Sequence, residues 1–437
     1  MKPISLLAVA LCFVTGCTTI IEQAPKSKSK SKTDTSDPAE IVGDDDSEDT
    51  SGPDPDPETK PRDEGLGFGT LLSISSFAAD EMKAGITTAM LEVRWGVAEP
   101  EEGRFDTQYL TQMASVMDKH RKAGRSITLG VVLHDTPRWV LALPNGRYVD
   151  DLGNTSDRAN FVFNQRVRDA AERFIREMVK TIPLAGIDRL RVASGGSGEV
   201  LYPGGGTYWA FDRNAQNGPD LPPTMAKNPL PGWKPGNGAT PQEVRSWAEW
   251  YVGGLDDVVR WQMDLATALG FEGRFEVLTP GMGVRSAEWE DAIAKRLPRG
   301  LLGIGPAWQV FYSKLGPRRD VIAYVSSVAD RSGGDDGCEP GDASIGVTDA
   351  KTTRWSATRY IARLAAEYGY GLSGENPGFA DAAAEHYRDL SPSGMLAASL
   401  RQARTCGMTK LYWAHDDRLW NGTIAFPDFA KAIAAPY

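Results

Sequence analysis

Cysteine, histidine and positive charge are scarce in this chain of 437 residues, and each scarcity argues against a class of function. The 4 cysteines and 4 histidines include no CxxC motif and no paired-histidine spacing, so we predict no metal site and no cofactor. Lysine and arginine total 48 against 58 acidic residues, and no basic patch offsets the net charge of −10. We therefore expect no nucleic-acid partner, because its phosphates would be repelled, and a neutral or cationic substrate.

The apolar run at the start of the chain, in "MKPISLLAVALCFVTGC", is too short to span a membrane. It follows Lys2, which predicts an export signal over residues 1–16. The stretch before Cys17 also resembles the lipobox of bacterial lipoproteins, which implies cleavage before Cys17 and a lipid on that cysteine. The protein is then expected in the bacterial cell envelope, anchored at the outer membrane or cell surface. An ordinary secretory signal is the alternative.

Apolar side chains are nearly absent between residues 22 and 64, where Lys, Ser, Asp, Glu and Pro dominate. Such a composition cannot form a packed core and predicts a disordered tether, which we place at residues 17–64. A charged interaction tail is the alternative. Cys338 and Cys406 are the cysteines left for the mature domain, and export would allow them either to pair or to stay free.

From Gly65 onward, short β-rich runs alternate with longer segments whose apolar residues recur three and four positions apart. Eight strands alternating with helices over residues 65–437 predict one (β/α)8 TIM barrel, an α/β fold. A doubly wound open sheet is the alternative, although no GxGxxG or P-loop motif follows the first strand. The predicted strands are "GFGTLLSI", "TTAMLEVRW", "SITLGVVLH", "IDRLRVASG", "FEVLTPG", "DVIAYVSSV", "YGLSGEN" and "TKLYWAH".

Polar and aromatic residues are concentrated at the carboxyl ends of these strands, where a barrel of this kind places its active site. Such a mixture suits a sugar, because hydroxyls take hydrogen bonds and the apolar ring faces lie on tryptophan. The candidates are Arg94, Trp95 and Glu99 after strand two; His134, Asp135, Arg138 and Trp139 after strand three; Glu199 and Tyr202 after strand four; Asp330 after strand six; Glu375 and Asn376 after strand seven; and Trp413, His415 and Asp416 after strand eight.

Glu199 and Glu375 end strands on opposite sides of the predicted barrel mouth, and a pair of carboxyl groups is what cleaves a glycosidic bond. The segment "ASGGSGEVLYPGGG" places Glu199 among glycines, whose bare backbone would let a sugar ring approach. Burial and a neighbouring carboxylate could keep Glu199 protonated near neutral pH. The alternatives are a loop-capping role for Glu199 and a salt-bridge role for Glu375.

At this point the sequence resembles glycoside hydrolases of the barrel superfamily. "EVRWGVAEPEEGRFD" resembles the second-strand signature of family 42 β-galactosidases and their relatives. "LHDTPRWVLALPNGRYVDDLGN" is similar to the third-strand region of those enzymes and of the family 14 β-amylases. "GGSGEVLYPGGGTYWAFD" resembles the β-amylase segment around its general acid, which implies that role for Glu199. "LSGENPGFADA" and "GMTKLYWAHDDRLWNG" are similar to the last β-amylase strands.

The resemblance implies two alternative mechanisms. In the retaining one, Glu375 is the nucleophile and Glu199 the general acid and base, as in the clan of family 42, although Gly198 stands where that clan has an asparagine. In the inverting one, Glu199 is the acid and Asp330, or a carboxylate near it such as Asp335, is the base on strand six. We favour retention. A carbohydrate-binding barrel without catalysis is a third possibility, and a metal-dependent hydrolase is disfavoured by the missing histidine pairs.

Further roles follow for the residues around the pair. Trp95, Trp139, Trp209 and Trp413 are candidates for stacking on sugar rings, with barrel packing as the alternative for each. His134 and His415, together with Asp135, Tyr202 and Asn376, are candidates for binding hydroxyls. Arg94 is a candidate for orienting a carboxylate, with Glu375 as one possible partner. Trp247, Trp250, Trp261 and Trp289 lie in helical patterns and are assigned to the outer core. The long loop after strand four is expected to wall the site.

Overall fold

Eight parallel strands close into a barrel, which confirms the predicted TIM-barrel fold and excludes the open sheet. A computed structural model describes residues 65–280, 283–329, 337–378 and 384–435. The order around the barrel is β1, β2, β3, β6, β7, β8, β9, β10 and back to β1. The barrel strands are β1 Gly67–Leu71, β2 Ile86–Arg94, β3 Ser126–Val132, β6 Arg189–Val192, β7 Arg274–Thr279, β8 Val321–Val325, β9 Gly371–Glu375 and β10 Lys410–Trp413. All eight coincide with the predicted runs.

An antiparallel hairpin of β4 Arg147–Val149 and β5 Thr155–Ala159 interrupts the barrel after β3. The α-helices of the described residues surround the strands. They are α1 Ala78–Lys83, α2 Trp95–Ala98, α3 Thr107–Lys122, α4 Arg138–Leu141, α5 Gln165–Thr181, α6 Pro241–Ala268, α7 Ser286–Ala294, α8 Trp308–Leu315, α9 Ala357–Tyr368, α10 Ala384–Arg388, α11 Met395–Thr405, α12 Asp417–Trp420 and α13 Phe426–Ala434. Short 3-10 helices lie at Ser75–Phe77, Leu301–Ile304, Pro340–Ser344 and Ala350–Arg354.

The longest helix, α6, shows how the sequence sets a helix start. Thr240 accepts a hydrogen bond from the Glu243 backbone N–H, and the Glu243 carboxylate accepts one from the Thr240 backbone N–H. Pro241 occupies the first helical position, where its missing N–H costs nothing. Trp247 and Trp250 on this helix are buried, and Trp289 on α7 is buried as well, as the helical patterns predict.

Side chains alternate between the inside and the outside of the barrel along each strand. Leu71, Met90, Leu278, Tyr324, Tyr412 and Ala414 form a small inner cluster. The outward residues join the much larger cluster between the strands and the helices, to which Leu91, Val93 and Leu129 belong. This alternation decides which strand-end residues reach the mouth of the barrel.

Cys338 and Cys406 form a disulfide, which settles the alternative that the sequence leaves open. The bridge joins the segment before the Pro340–Ser344 helix to the end of α11, 68 residues apart in the chain. In the parts of residues 65–435 that the structure describes, no helix is long and apolar enough to cross a membrane. The predicted export signal, Cys17 and the tether lie outside the described residues.

Candidate active site

Glu199 lies on a tightly held loop that follows β6. The Ser194 hydroxyl donates hydrogen bonds to the carbonyl oxygens of Glu199, at 3.0 Å, and Leu201, at 2.6 Å. The Val200 N–H donates to the carbonyl of Leu278 at the end of β7, at 2.9 Å. The loop is therefore fastened to the neighbouring barrel strand, and the Glu199 side chain is half-buried at the mouth.

The glycines around Glu199 make room for protein side chains. Gly195 has a φ of 76°, and a Cβ there would lie 2.6 Å from the ring of Phe161. A Cβ on Gly198 would lie 3.2 Å from the His134 ring. The bare backbone thus admits Phe161 at Gly195, whereas at Gly198 it admits His134, a predicted sugar-binding residue.

Glu375 is the last residue of β9 and points into the barrel mouth. Its Oε2 accepts hydrogen bonds from Arg191 Nη2 at 3.0 Å and from the Tyr324 hydroxyl at 2.5 Å. The Arg191 guanidinium carbon also lies 4.6 Å from the centre of the Tyr324 ring. The Glu375 side chain is 14% exposed, so it is shielded from bulk water but open to the mouth.

The two predicted catalytic carboxyls meet at β8. Glu199 accepts a hydrogen bond from the Ser326 hydroxyl, just beyond β8, and Glu375 accepts one from Tyr324 within it. The charge of Glu199 contributes to raising the pKa of Glu375, which places the two acids within electrostatic reach of each other. The structure therefore brings together the two acids that the sequence separates by strands four and seven.

The two acids differ in what stabilises their charge. Burial raises the pKa of Glu375 to about 7, against the lowering effects of Arg191 and Tyr324. Burial also raises the pKa of Glu199, against a hydrogen bond from Ser326 and the more distant charge of Arg191. Glu375 is bonded directly to a guanidinium, which favours its charged form, whereas Glu199 accepts a hydrogen bond from a neutral hydroxyl.

Arg94 does not orient Glu375. Its Nε lies 3.0 Å from Asp135 Oδ2, so Arg94 does pair with a carboxylate, but that carboxylate is Asp135, and Arg191 bonds to Glu375. Asp135 is held by this ion pair, and its carbonyl oxygen accepts a hydrogen bond from the Gly96 N–H. Both side chains stay half-buried at the ends of β2 and β3.

Trp95 and Trp413 face the outer core. Trp95 has no exposed surface; its ring stacks on Phe174 at 5.6 Å, and its indole N–H donates to the buried Glu99. Trp413 is 3% exposed and packs on Phe429 at 4.9 Å. Neither ring has a face open to a sugar, so the stacking predicted for these two residues is corrected to packing.

Tyr202 and Trp209 are also buried. The Tyr202 ring stacks on Tyr251 at 4.1 Å, and its hydroxyl donates to the Tyr251 carbonyl. Trp209 is 7% exposed, and its backbone N–H donates to the Tyr251 hydroxyl. The sugar contact predicted for Tyr202 is therefore corrected, because both its ring and its hydroxyl are used within the core.

Asn376 ties together the ends of β9 and β10. Its side-chain oxygen accepts a hydrogen bond from the Ala414 N–H, and its amide donates to the carbonyl of Pro377 and the hydroxyl of Tyr387. The residue is 1% exposed. Its predicted sugar contact is corrected to a structural bond between neighbouring strands.

Three predicted binding residues stay near solvent. Burial lowers the pKa of His134 to about 4, so its ring is neutral near neutral pH, and burial also lowers the pKa of His415. Both histidines and Trp139 are half-buried. The Trp139 indole N–H donates to the Glu99 carbonyl at 3.3 Å, and its ring lies 5.4 Å from the Arg173 guanidinium carbon.

Asp330 and Asp335, the alternative bases, lie outside the described residues. Among the residues that are described, no group of three acidic, histidine or cysteine side chains could hold a metal ion.

Several residues of the site are absent from the prediction. Arg191, Tyr324 and Ser326 contact the two acids, and Glu92 faces the same mouth. The signal for Glu92 was alternation within its strand. Counting back by two from Glu375 or from the predicted mouth residue Arg94 gives the inward positions, and these include Glu92.

Comparisons with known proteins agree with this architecture. The catalytic domain of a β-amylase from Paenibacillus polymyxa has a TM-score of 0.56 and 13% identity, over 85% of this chain and 99% of that one. A β-galactosidase from the Antarctic haloarchaeon Halorubrum lacusprofundi has a TM-score of 0.50 and 12% identity, over 80% of this chain. What this chain shares with these two enzymes is the barrel fold.

The likeness to these enzymes is one of fold. The chain spans about half, 52%, of the length of the haloarchaeal β-galactosidase. No protein-family model matches the sequence, and no curated protein matches it.

Proposed function

We propose that the protein is a glycoside hydrolase that cleaves O-glycosidic bonds of oligo- or polysaccharides. The observation that carries the proposal is the pair Glu199 and Glu375, two shielded carboxyls with different partners at one barrel mouth. Glycosidases use two carboxyl groups in different environments, so that one is protonated and acts as the acid while the other is ionised and acts as the base or nucleophile. The fold shared with a β-amylase and a β-galactosidase supports the same reaction class.

Glu199 acts as the general acid in this proposal. Its raised pKa, due to burial, keeps a proton available, and its carboxyl protonates the oxygen of the leaving sugar as the glycosidic bond breaks. The loop after β6 is fastened by the Ser194 hydroxyl and by the carbonyl of Leu278 on β7, and it holds this carboxyl in one position. After the leaving sugar departs, the same carboxylate takes a proton from water.

Glu375 acts as the nucleophile. Arg191 and Tyr324 favour its ionised form and fix one oxygen, Oε2, which leaves Oε1 for attack on the anomeric carbon. The glycosyl-enzyme ester that forms is then broken by the water that Glu199 deprotonates, and the product keeps the original anomeric configuration. The inverting alternative would instead need a base such as Asp330 on the far face of the sugar.

Activity should depend on pH through the pair. As pH falls through about 7, Glu375 gains a proton and the nucleophile is lost. As pH rises through the raised pKa of Glu199, the acid is lost. We therefore expect a bell-shaped profile of kcat/KM, whose two apparent pKa values belong to the coupled pair.

A screen of the purified domain against aryl glycosides and common polysaccharides tests the proposal, with the anomer of the first product followed by NMR. Glu199→Gln should lower kcat by about 100- to 10,000-fold on substrates with poor leaving groups, with sugar affinity kept. Glu290→Gln, on the exposed side of α7, is the matched control and should leave kcat unchanged. Sugar binding without turnover in the wild type would instead indicate a carbohydrate-binding barrel.

We also propose that the enzyme works outside the cytoplasm on a lipid anchor at Cys17. The Cys338–Cys406 disulfide supports an oxidising compartment. The full chain expressed in a bacterial host should fractionate with membranes, and Cys17→Ala should release it from them. A Cys17→Ala protein that stays in the membrane fraction would contradict the anchor.

A further inference from the structure

Glu92 is an inward-facing carboxyl of β2 to which the mechanism above gives no role. It lies two residues after Met90, which belongs to the inner cluster, so strand alternation points Glu92 into the barrel. Its outward neighbours Leu91 and Val93 are 4% and 0% exposed, whereas Glu92 is partly exposed. Glu92 is inward and two residues from the carboxyl end of β2, so its exposed surface opens into the mouth and the candidate active site.

Gly130 gives Glu92 its space. In the strand register, Glu92 on β2 is paired with Gly130 on β3, and Gly130 is paired with Arg191 on β6. A Cβ on Gly130 would lie 3.2 Å from the Cγ of Glu92. The side chain of Glu92 therefore lies over a residue without a side chain, in the same row of the barrel as the arginine that holds Glu375.

The cations of the mouth are already engaged with other acids. Arg191 bonds to Glu375 at 3.0 Å, and Arg94 pairs with Asp135 at 3.0 Å. Within the described part of the chain, no hydrogen bond or ion pair to the Glu92 carboxyl is formed, although Arg191 and Arg94 attract it from a distance. The Glu92 carboxyl is therefore available to a ligand at the mouth, and a sugar would supply its partner as a hydroxyl.

We propose that Glu92 is a substrate-binding residue that forms a hydrogen bond with a hydroxyl of the sugar ring held over Glu375, and that it makes the site selective for neutral sugars over uronic acids. The inference rests on the proposed glycoside hydrolase activity. A sugar carboxylate placed beside Glu92 would be repelled, and both nearby arginines already serve other acids. The groups that the Glu92 carboxyl can bind are therefore the hydroxyls of a neutral sugar.

A double-mutant-type cycle between protein and substrate tests the first part. Wild type and Glu92→Ala are compared on the aryl glycoside that the screen identifies and on its monodeoxy analogues, each lacking one hydroxyl. Glu92→Ala should lower kcat/KM on the parent by about 10- to 100-fold. On one analogue, the one lacking the bonded hydroxyl, wild type and variant should differ by less than about threefold. Glu177→Gln, which removes an exposed carboxylate on α5, is the control.

The selectivity is tested with Glu92→Gln, which keeps the size of the side chain and removes its charge. The ratio of kcat/KM for the neutral glycoside to that for the uronide of the same configuration should fall by about 10-fold or more in this variant. An unchanged ratio, or equal losses for Glu92→Ala on every deoxy analogue, would overturn the inference.

Sugar binding separates this inference from the proposed function. Titration calorimetry on Glu199→Gln and on Glu199→Gln with Glu92→Ala reports affinity without turnover. Sugar that binds equally well to both variants contradicts the role of Glu92 and leaves the hydrolase proposal standing. The absence of both binding and turnover in every form, including the wild type, contradicts the hydrolase proposal itself.

Discussion

The inner faces of the barrel strands carry the candidate active site, and the outer faces pack against the helices. On β2 and β9 the inward positions near the mouth hold Glu92 and Glu375, with Arg191 and Tyr324 between them. Just beyond β2 and on β10, Trp95 and Trp413 lie on the outward side and pack against Phe174 and Phe429. Strand-end position alone is therefore a poor guide to the site, and the direction of the side chain decides between catalysis and packing.

Among changes on the inner face, loss of Glu375 should have the largest effect on turnover. Glu375→Gln keeps the shape of the side chain but removes the nucleophile, so we expect kcat to fall by at least about 1,000-fold. The unfolding temperature should stay the same or rise, because a buried carboxyl with a raised pKa is replaced by a neutral amide. Steady-state kinetics and calorimetric melting measure the two effects.

If Glu375→Gln kept wild-type turnover, the assignment of catalysis to the inner face would be wrong. Glu290→Gln, an exposed change that keeps the same chemistry, sets the background for both measurements.

Substitutions on the outer face should change the stability of the fold. Trp95→Ala removes a fully buried ring and should lower the free energy of unfolding by about 3–5 kcal/mol, with KM for sugar unchanged in the folded fraction. Tyr324→Phe should show the opposite pattern, because it removes only the hydroxyl that bonds Glu375. Denaturant unfolding and kinetics on both variants, with Trp95→Phe as the milder change, give the comparison. A KM that rises more for Trp95→Phe than for Tyr324→Phe would place Trp95 in the sugar site.

The disulfide should likewise affect stability alone. Replacing Cys338 and Cys406 together by serine should lower the free energy of unfolding by about 2–4 kcal/mol, because a closed loop in the unfolded chain is released. Reduction of the wild type should reproduce the shift, and the double variant should not respond to reductant. A large fall in kcat at a temperature where the double variant is still folded would show that the bridge also shapes the site.

A smaller effect is expected from Arg191, and it appears mainly in the pH profile. The guanidinium favours the charged form of Glu375, so Arg191→Gln should raise the pKa of Glu375 further. The acid limb of kcat/KM should then move to higher pH, and kcat at the optimum should fall by about 10- to 100-fold. A limb that stays in place would mean that Arg191 does not set the charge of the nucleophile.

The sequence was sufficient for the barrel and for the pair of acids. All eight strand segments could be recognised because β-rich runs alternated with helical patterns. Glu375 could be chosen because it ends a strand, and Glu199 because it lies in the glycine-rich segment that follows one. The fold places the ends of strands four and seven around one mouth, and the fastened loop after strand four brings Glu199 to it, so the meeting of the acids follows from topology and from this loop.

The sequence was a weaker guide to the neighbours of that pair. Trp95 and Trp413 look like sugar platforms by position, but a shift of one residue along a strand turns a side chain from the mouth to the helices. Arg191 and Tyr324 lie within strands, one position from the strand end, and no strand-end pattern marks them. The pairing of Arg94 with Asp135 depends on where the end of β2 and the loop after β3 bring their side chains, which no local pattern states.

Covalent trapping gives the most direct test of the two opposed acids. The wild type is incubated with the 2-deoxy-2-fluoro aryl glycoside of the sugar that it turns over, and the labelled peptide is identified by mass spectrometry. We expect a single glycosyl adduct on Glu375, which accumulates as activity is lost. An adduct on another residue, or inverted product with no adduct, would contradict the assignment of Glu375 as the nucleophile facing Glu199.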